Sequence, residues 1–358
     1  MDLLIITDYK APYEGNFICS IKALCKEINN AGGKVYFLFP SDAKEISWVM
    51  EFSELYPVEF WDSNVKRHIK QLMRIVREKK IQLIYTHFCL LKTQTITKIV
   101  AKITKKMLVQ HWHNHYQKFP GIRGVFAKWA FNGNLNIGCS KSVADSLPYK
   151  SKSVEYVDNA IDYTRLDVYD TNFEFVANKE KNVILMFGFD YYRKGVDIAI
   201  QALKQIKDEY EIRLIISLSK NHDKVRGLIE EANGDVFDWV KIVNARNDVA
   251  TYYHAADIFL SASREEGLTY SLLEAVYCDC VPISSEISGA PYESIPYCYT
   301  FKSEDCDELR IKVIEAIKES KEAYDYKKAE RHDAVVRKFD LKAWASEVYN
   351  KLEGVINK

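Results

Sequence analysis

Two carboxylates, Glu266 and Glu274, stand eight positions apart on either side of a glycine bend in the stretch SASREEGLTYSLLE, Ser261 to Glu274. Upstream, Asp257-Ile258-Phe259-Leu260 reads as the end of a buried strand, and beyond Gly267 a helical pattern runs from about Thr269 to Cys278. A strand, a glycine turn and a helix start place free backbone N–H groups at the carboxyl edge of a sheet. Helical side chains lean toward the N-terminus of their own helix, so Glu274 can reach back along the first turns. An anion on the helix start, with a ribose diol donating two hydrogen bonds to Glu274, suits a nucleotide. The competing reading is a buried strand and a helix whose acids only favour its positive end.

A second cluster is His111, His113 and His115, following the apolar run Met107-Leu108-Val109 and Gln110. Alternation along a strand would set all three on one face. Histidine is a common metal ligand, but no carboxylate or thiol accompanies them in this stretch to complete a site. Histidines that bond loop carbonyls are the plainer reading.

The elements that must position these groups are short apolar runs alternating with amphipathic stretches. Leu3 to Thr7, Val35 to Phe39, Gln82 to Tyr85 and Met107 to Gln110 read as buried parallel strands in the first half. Helices are expected from about Phe17 to Ala31, closing on Gly32-Gly33, from Ser63 to Lys79, and from Thr93 to Ile103. Asn136 to Cys139 is a short strand, and Ser140 can cap the helix after it. Thr171 to Lys181 is polar and weakly patterned, so a boundary is expected between about residues 160 and 180. Val183 to Phe187 opens a second alternating series, and a last amphipathic helix, Leu341 to Val355, carries Trp344, Val348, Leu352 and Val355 on one stripe. The chain is α/β with two doubly wound, Rossmann-like domains.

Lys plus Arg equals Asp plus Glu at 50 each, which argues against a nucleic-acid binder. No G-x-G-x-x-G or Walker A sequence occurs, which disfavours a dehydrogenase or kinase. The eight cysteines are scattered, and Cys278-Asp279-Cys280 spans a helix end and a strand start, so reduced thiols and a cytoplasmic location are expected. The N-terminus MDLLIITDYK has neither the basic region nor the long apolar core of a signal peptide, and no apolar run approaches a membrane span. Charge is uneven locally. Lys102, Lys105, Lys106, Lys118, Arg123 and Lys128 are interleaved with Trp112, Phe119, Phe126 and Trp129. A solvated helix face competes there with a surface for anionic lipid headgroups, which would make the protein peripheral at the inner face of the cell membrane.

SREEGLTYSLLEA resembles the Glu-x7-Glu signature of retaining family-4 glycosyltransferases (glycosyl transferases group 1) of the GT-B fold. The resemblance implies two such domains facing an interdomain cleft, 1–165 on the acceptor side and 166–340 for the nucleotide sugar. A C-terminal helix, 341–358, would cross back to the first. It gives Glu274 the donor ribose and Glu266 the sugar hydroxyls, and it makes Gly267, Leu268, Thr269 and Tyr270 part of the donor site. Thr269 stands where the family often has a second glycine. Gly188 and Lys194 match the family's diphosphate loop, in which Phe189 replaces an arginine that Arg193 would supply from the other end. Gly15, in Glu14-Gly15-Asn16-Phe17, lies where the family has a glycine loop. His111 or His113 corresponds to a histidine near the sugar, and Asn244 and Arg246 fall where the base is held by backbone contacts. The implied reaction is metal-independent transfer of a hexose or N-acetylhexosamine, with retention, from a UDP-sugar or other nucleotide sugar. The implied acceptor is a glycan or lipid-linked saccharide in bacterial polysaccharide synthesis. The nucleotide sugar is a co-substrate, and no cofactor is implied. A GT-B nucleotide-sugar epimerase and a non-catalytic nucleotide-sugar-binding partner protein are the alternatives.

Overall fold

The central strands Asp2–Thr7, Leu83–His87, Val183–Phe187 and Ile258–Ser261 are nearly continuous apolar runs because each sheet is covered on both faces. The computed structural model describes residues 1–11, 14–150, 153–177, 182–219, 222–233, 238–319 and 321–357. It divides into Met1–Ala160 with Leu341–Lys358, and Ile161–Asp340. The polar stretch read as the boundary, Thr171 to Lys181, lies partly outside the described residues.

Among the described residues the first unit holds seven parallel strands: β1 (Asp2–Thr7), β2 (Lys34–Pro40), β3 (Val58–Trp61), β4 (Leu83–His87), β5 (Met107–Trp112), β6 (Leu135–Gly138) and β7 (Val154–Tyr156). Their order is β3-β2-β1-β4-β5-β6-β7, with Leu3 of β1 level with Val35 on one side and Leu83 on the other. The order reverses between β1 and β4, which makes their carboxyl ends the switch point at which doubly wound sheets hold ligands. One face is covered by Phe17, Ile21 and Leu24 of the helix Asn16–Asn30 together with Trp344, Val348, Leu352 and Val355 of the terminal helix Leu341–Ile356. The other face is covered by Leu72 and Ile75 of the helix Val65–Glu78 and by Ile96 and Val100 of the helix Leu91–Thr104. The last helix of the sequence is thus part of the first unit's core.

The second unit repeats the plan with β8 (Val183–Phe187), β9 (Arg213–Leu218), β10 (Val240–Asn244), β11 (Ile258–Ser261), β12 (Val281–Ser285) and β13 (Tyr299–Phe301). The order β10-β9-β8-β11-β12-β13 puts its switch point between β8 and β11. Sequence periodicity does not single out β3, the helix Ser47–Leu55 or the helix Gly121–Ala130. β3 is a half-buried edge strand, and the 121–130 helix turns its larger apolar side chains outward. All eight cysteines are free thiols. Among the described residues no helix is long and apolar enough to cross a membrane.

Leu352 is fully buried. Leu352→Ala is expected to destabilise the first unit by about 2–5 kcal/mol, the usual cost of such a core deletion. Urea unfolding followed by a probe in that unit checks this, and an unchanged midpoint would exclude a structural role for the terminal helix.

Candidate active site

The second unit's site is made by the loops that leave β8 and β11, the strands on either side of the switch point. Gly188 follows β8, and a Cβ there would lie 2.7 Å from Ile216 Cγ2 and 2.9 Å from Val196 Cγ2. At the far end of the loop Gly195 has φ +65°, and a Cβ on it would be 2.0 Å from the Ala262 carbonyl oxygen. The backbones of the two loops therefore touch, which only glycine permits. Arg264 fastens them together. Its backbone N–H donates to the Arg193 carbonyl at 2.8 Å, and its guanidinium pairs with Asp197 at 2.8 and 2.9 Å and with Glu304 at 2.7 Å. The same guanidinium lies 3.8 Å over the Tyr192 ring.

This clamp converges three groups on Glu266. Lys194 Nζ lies 2.5 Å from Oε1, Ser263 Oγ donates to Oε1 at 2.8 Å, and Arg193 Nη1 lies 3.2 Å from Oε2. Lys194 is only 9% exposed. Burial pushes its pKa below the ordinary lysine value, against the pull of Glu266. Burial works to raise the Glu266 carboxyl, but Lys194, Arg193 and Ser263 outweigh it and hold the group below its ordinary value. Phe189, which stands where the resemblance has an arginine, presents its ring to both cations, 5.3 Å from Arg193 and 5.0 Å from Lys194. The site thus brings Arg193, Lys194 and Glu266 together around an aromatic face.

The helix after the bend is Tyr270–Tyr277, and its start is more occupied than the sequence implies. The Thr269 amide donates to the Gly289 carbonyl at 3.1 Å, and the Tyr270 amide donates to the Leu268 carbonyl at 3.0 Å. The buried Thr269 hydroxyl, at the position where the family often has a second glycine, also donates to that Gly289 carbonyl, at 3.4 Å. The reason is a close approach: a Cβ on Gly289 would lie 1.7 Å from the Glu266 carbonyl, so the segment after β12 covers the bend that holds Gly267 and Leu268. Lys194 and Arg193 are the cations that this loop pair gathers beside the bend.

Glu274 is 4% exposed, yet its carboxylate does not meet apolar surroundings. Arg165 Nη2 pairs with Oε1, and the Tyr253 hydroxyl donates to Oε2 at 2.7 Å. Burial, then the Glu274 charge, keeps the Tyr253 phenol well above its ordinary pKa and so protonated. Neither partner is legible in the sequence, since Arg165 and Tyr253 come from segments with no motif. Arg246 is held by Asp248 at 2.7 and 2.8 Å and by Asp170 at 3.1 Å, which leaves the backbone of 244–246 for any base contact. That backbone is anchored where the Tyr252 hydroxyl donates to the Asn244 carbonyl.

In the first unit, Gly15 precedes the helix Asn16–Asn30, and a Cβ there would lie 3.0 Å from the Tyr9 hydroxyl. β5 ends at Trp112, so His115 lies beyond the strand and the three histidines do not share one strand face. His111 and His113 stack instead, with ring centres 4.7 Å apart and planes 8° from parallel. His87, at the end of β4, completes the cluster: its Nδ1 lies 3.1 Å from His113 Nε2, and Tyr85 Oη lies 2.5 Å from His111 Nδ1. His87 has no sequence signature and is found only through the β4–β5 register, His87 opposite His111. Burial depresses all three, His111 to about 3, so the stack is neutral at pH 7. Among the described residues no group of three or more His, Cys, Asp or Glu is placed to hold a metal ion.

Residues 169–333 match the family described as glycosyl transferases group 1, over nearly the whole of the second unit. This region belongs to that family. The group 1 region carries Lys194, Glu266 and Glu274 together. The chain is 29% identical over 129 residues to the lipopolysaccharide glucosyltransferase WaaG of Escherichia coli strain K12; the match takes in 35% of this chain and spans about a third (34%) of that relative's length. Its fold is similar to that of Anabaena Alr3699/HepE, solved in complex with UDP (TM-score 0.80, 17% identity, 99% of this chain and 100% of that one). It is also similar to sucrose-phosphate synthase from Thermosynechococcus elongatus (TM-score 0.78, 14% identity, 99% and 100%). These likenesses show the GT-B fold, with its two Rossmann-like units.

The histidine stack has a consequence for stability. Unfolded histidines take up protons below about pH 6.5, whereas folded His111 waits until about pH 3. Its contribution is therefore complete above pH 6.5 and is lost as pH falls toward the folded value, at up to about 1.4 kcal/mol per pH unit for each histidine. Unfolding free energy measured from pH 5 to 7 should rise with pH, and His111→Gln should flatten that slope. An equal slope in the variant would show that the cluster does not titrate on unfolding.

Proposed function

We propose that the protein is a retaining glycosyltransferase that moves a hexose or N-acetylhexosamine from a nucleotide sugar, a UDP-sugar in particular, to a glycan or lipid-linked saccharide. The observation that carries this reading is the convergence of Lys194 and Arg193 on Glu266 at the second unit's switch point. As the glycosidic bond breaks, its electron pair goes to the diphosphate oxygen. Lys194, buried, and Arg193, half-buried, stabilise that charge as they exchange part of their pairing with Glu266 for the diphosphate, without a metal. Glu266, released from part of its pairing, meets the sugar hydroxyls, while Glu274, oriented by Arg165 and Tyr253, accepts from the ribose diol. The acceptor hydroxyl attacks the anomeric carbon from the face the diphosphate leaves and gives its proton to the departing phosphate oxygen, so configuration is retained.

Three comparisons support this reading. They are the family of residues 169–333, the glucosyltransferase activity in the name of the Escherichia coli relative, and the UDP and UDP-glucose complexes of the Anabaena protein. By the same reading the protein works in bacterial polysaccharide synthesis, in the cytoplasm and peripheral at the inner face of the membrane.

Thermal-shift titration with UDP, GDP and ADP and their sugars is the first test. UDP should raise Tm most, by an increment that grows with concentration because only the native state binds. Lys194→Ala and Glu274→Ala should each raise donor KM tenfold or more, a loss of at least about 1.4 kcal/mol. Unchanged donor kinetics in both would overturn the site. Product formed from donor alone would identify an epimerase, and UDP binding with neither transfer nor donor hydrolysis would identify a non-catalytic partner.

The Glu274 contacts give a finer prediction. Tyr253→Phe and Arg165→Gln should each raise KM for the ribose donor roughly 3- to 10-fold, the cost of one lost hydrogen bond. Each should change KM for a 2′-deoxyribose donor much less. Equal losses for both donors would mean that the two residues serve only the fold.

A further inference from the structure

Residues 79–144 contain no Asp or Glu, against ten Lys and one Arg, in a chain whose charges balance overall at 50 and 50. All of this basic segment lies in the first unit. Within it, the helix Gly121–Ala130 is oriented contrary to the usual rule for a surface helix. Its small residues Ala127 and Ala130 face the core, while Ile122 is 89% exposed, Val125 74% and Phe126 43%. These three stand at i, i+3 and i+4, so they form one continuous apolar stripe on the outside. Exposed Lys118, Arg123 and Lys128 flank it. Two of the neighbouring cations lie over rings, Arg123 5.2 Å from the Phe119 ring centre and Lys102 5.2 Å from that of Trp129.

We infer that this helix is a docking surface for an anionic lipid bilayer. The inference deepens the last part of the functional reading by naming the surface that meets the membrane. Three occupants can be weighed against the stripe and its charges. A second copy docking through the same face would set like charges against each other. A nucleic acid would meet the cations but leave Ile122 and Val125 against a polyanion. An anionic bilayer matches both features, with headgroup phosphates for Lys118, Arg123 and Lys128 and the headgroup–acyl boundary for Ile122, Val125 and Phe126. The aromatic Phe126 and Trp129, 5.6 Å apart, suit that boundary as well.

Co-sedimentation of the whole chain with vesicles tests this. Vesicles of phosphatidylcholine with phosphatidylglycerol should bind the protein at least tenfold better than phosphatidylcholine alone, with weakening at high salt. The double variant Ile122→Asp/Val125→Asp and the triple variant Lys118→Gln/Arg123→Gln/Lys128→Gln should each lose at least tenfold in partitioning. All five side chains are exposed, so the circular dichroism and the UDP-induced Tm shift should stay as in the parent chain. This separates failure of docking from failure of the donor site. Equal binding to both vesicle types, or variants that bind like the parent, would overturn the proposal. A concentration-dependent dimer or an RNA gel shift abolished by the same substitutions, with no vesicle binding, would also overturn it and assign the face to a second copy or to a nucleic acid.

Discussion

A buried ammonium held against a carboxylate is the interaction on which the second unit's site depends. Removing Lys194 and Glu266 from water costs several kcal/mol per ion, and their attraction repays this only where the geometry is good and the remaining donors and acceptors are met. Here Ser263 and Arg193 supply the extra bonds, and Phe189 turns its ring to both cations. The surrounding backbone is shaped to permit it. Gly195 brings the two loops into contact, Arg264 ties them, and Gly289 lets a third segment close over Glu266. The arrangement keeps positive charge ready in a place that water leaves.

The first unit treats its own switch-point residues in the opposite way. His87, His111 and His113 are packed so tightly on one another and on Phe88 and Phe17 that charge is excluded from them. The buried Nε2 atoms of His87 and His111 have no hydrogen-bond partner among the described residues. Neutral rings tolerate that, because one unmet ring nitrogen costs far less than a buried imidazolium. The same topology thus supports a cationic cradle in one sheet and an uncharged stack in the other.

Much of this was legible from residue order, because buried parallel strands announce themselves as apolar runs and glycine bends mark their ends. Leu3 to Thr7, Val183 to Phe187 and the bend before Tyr270 are of that kind. What pattern could not reveal depends on pairing across distance in sequence. Arg165 and Tyr253 meet Glu274 from segments 109 and 21 residues away, with nothing local to mark either one. His87 joins the stack only because β4 and β5 are in register. Thr269 marks a helix start in the sequence, but its hydroxyl's partner, the Gly289 carbonyl, lies 20 residues away. The helix Gly121–Ala130 is hidden in the sequence for a different reason: its larger apolar side chains point out rather than toward the core.

The place of the helix Leu341–Ile356 also bears on how the chain is made. Its Trp344, Val348 and Leu352 complete the hydrophobic core of a sheet whose strands were all synthesised before residue 157. Translation therefore delivers every residue of the second unit, up to Asp340, before the first unit can close. The N-terminal sheet must wait with one apolar face only partly covered, by the helix Asn16–Asn30, while its neighbour folds, and the nascent protein is most exposed to aggregation and to chaperones during that interval.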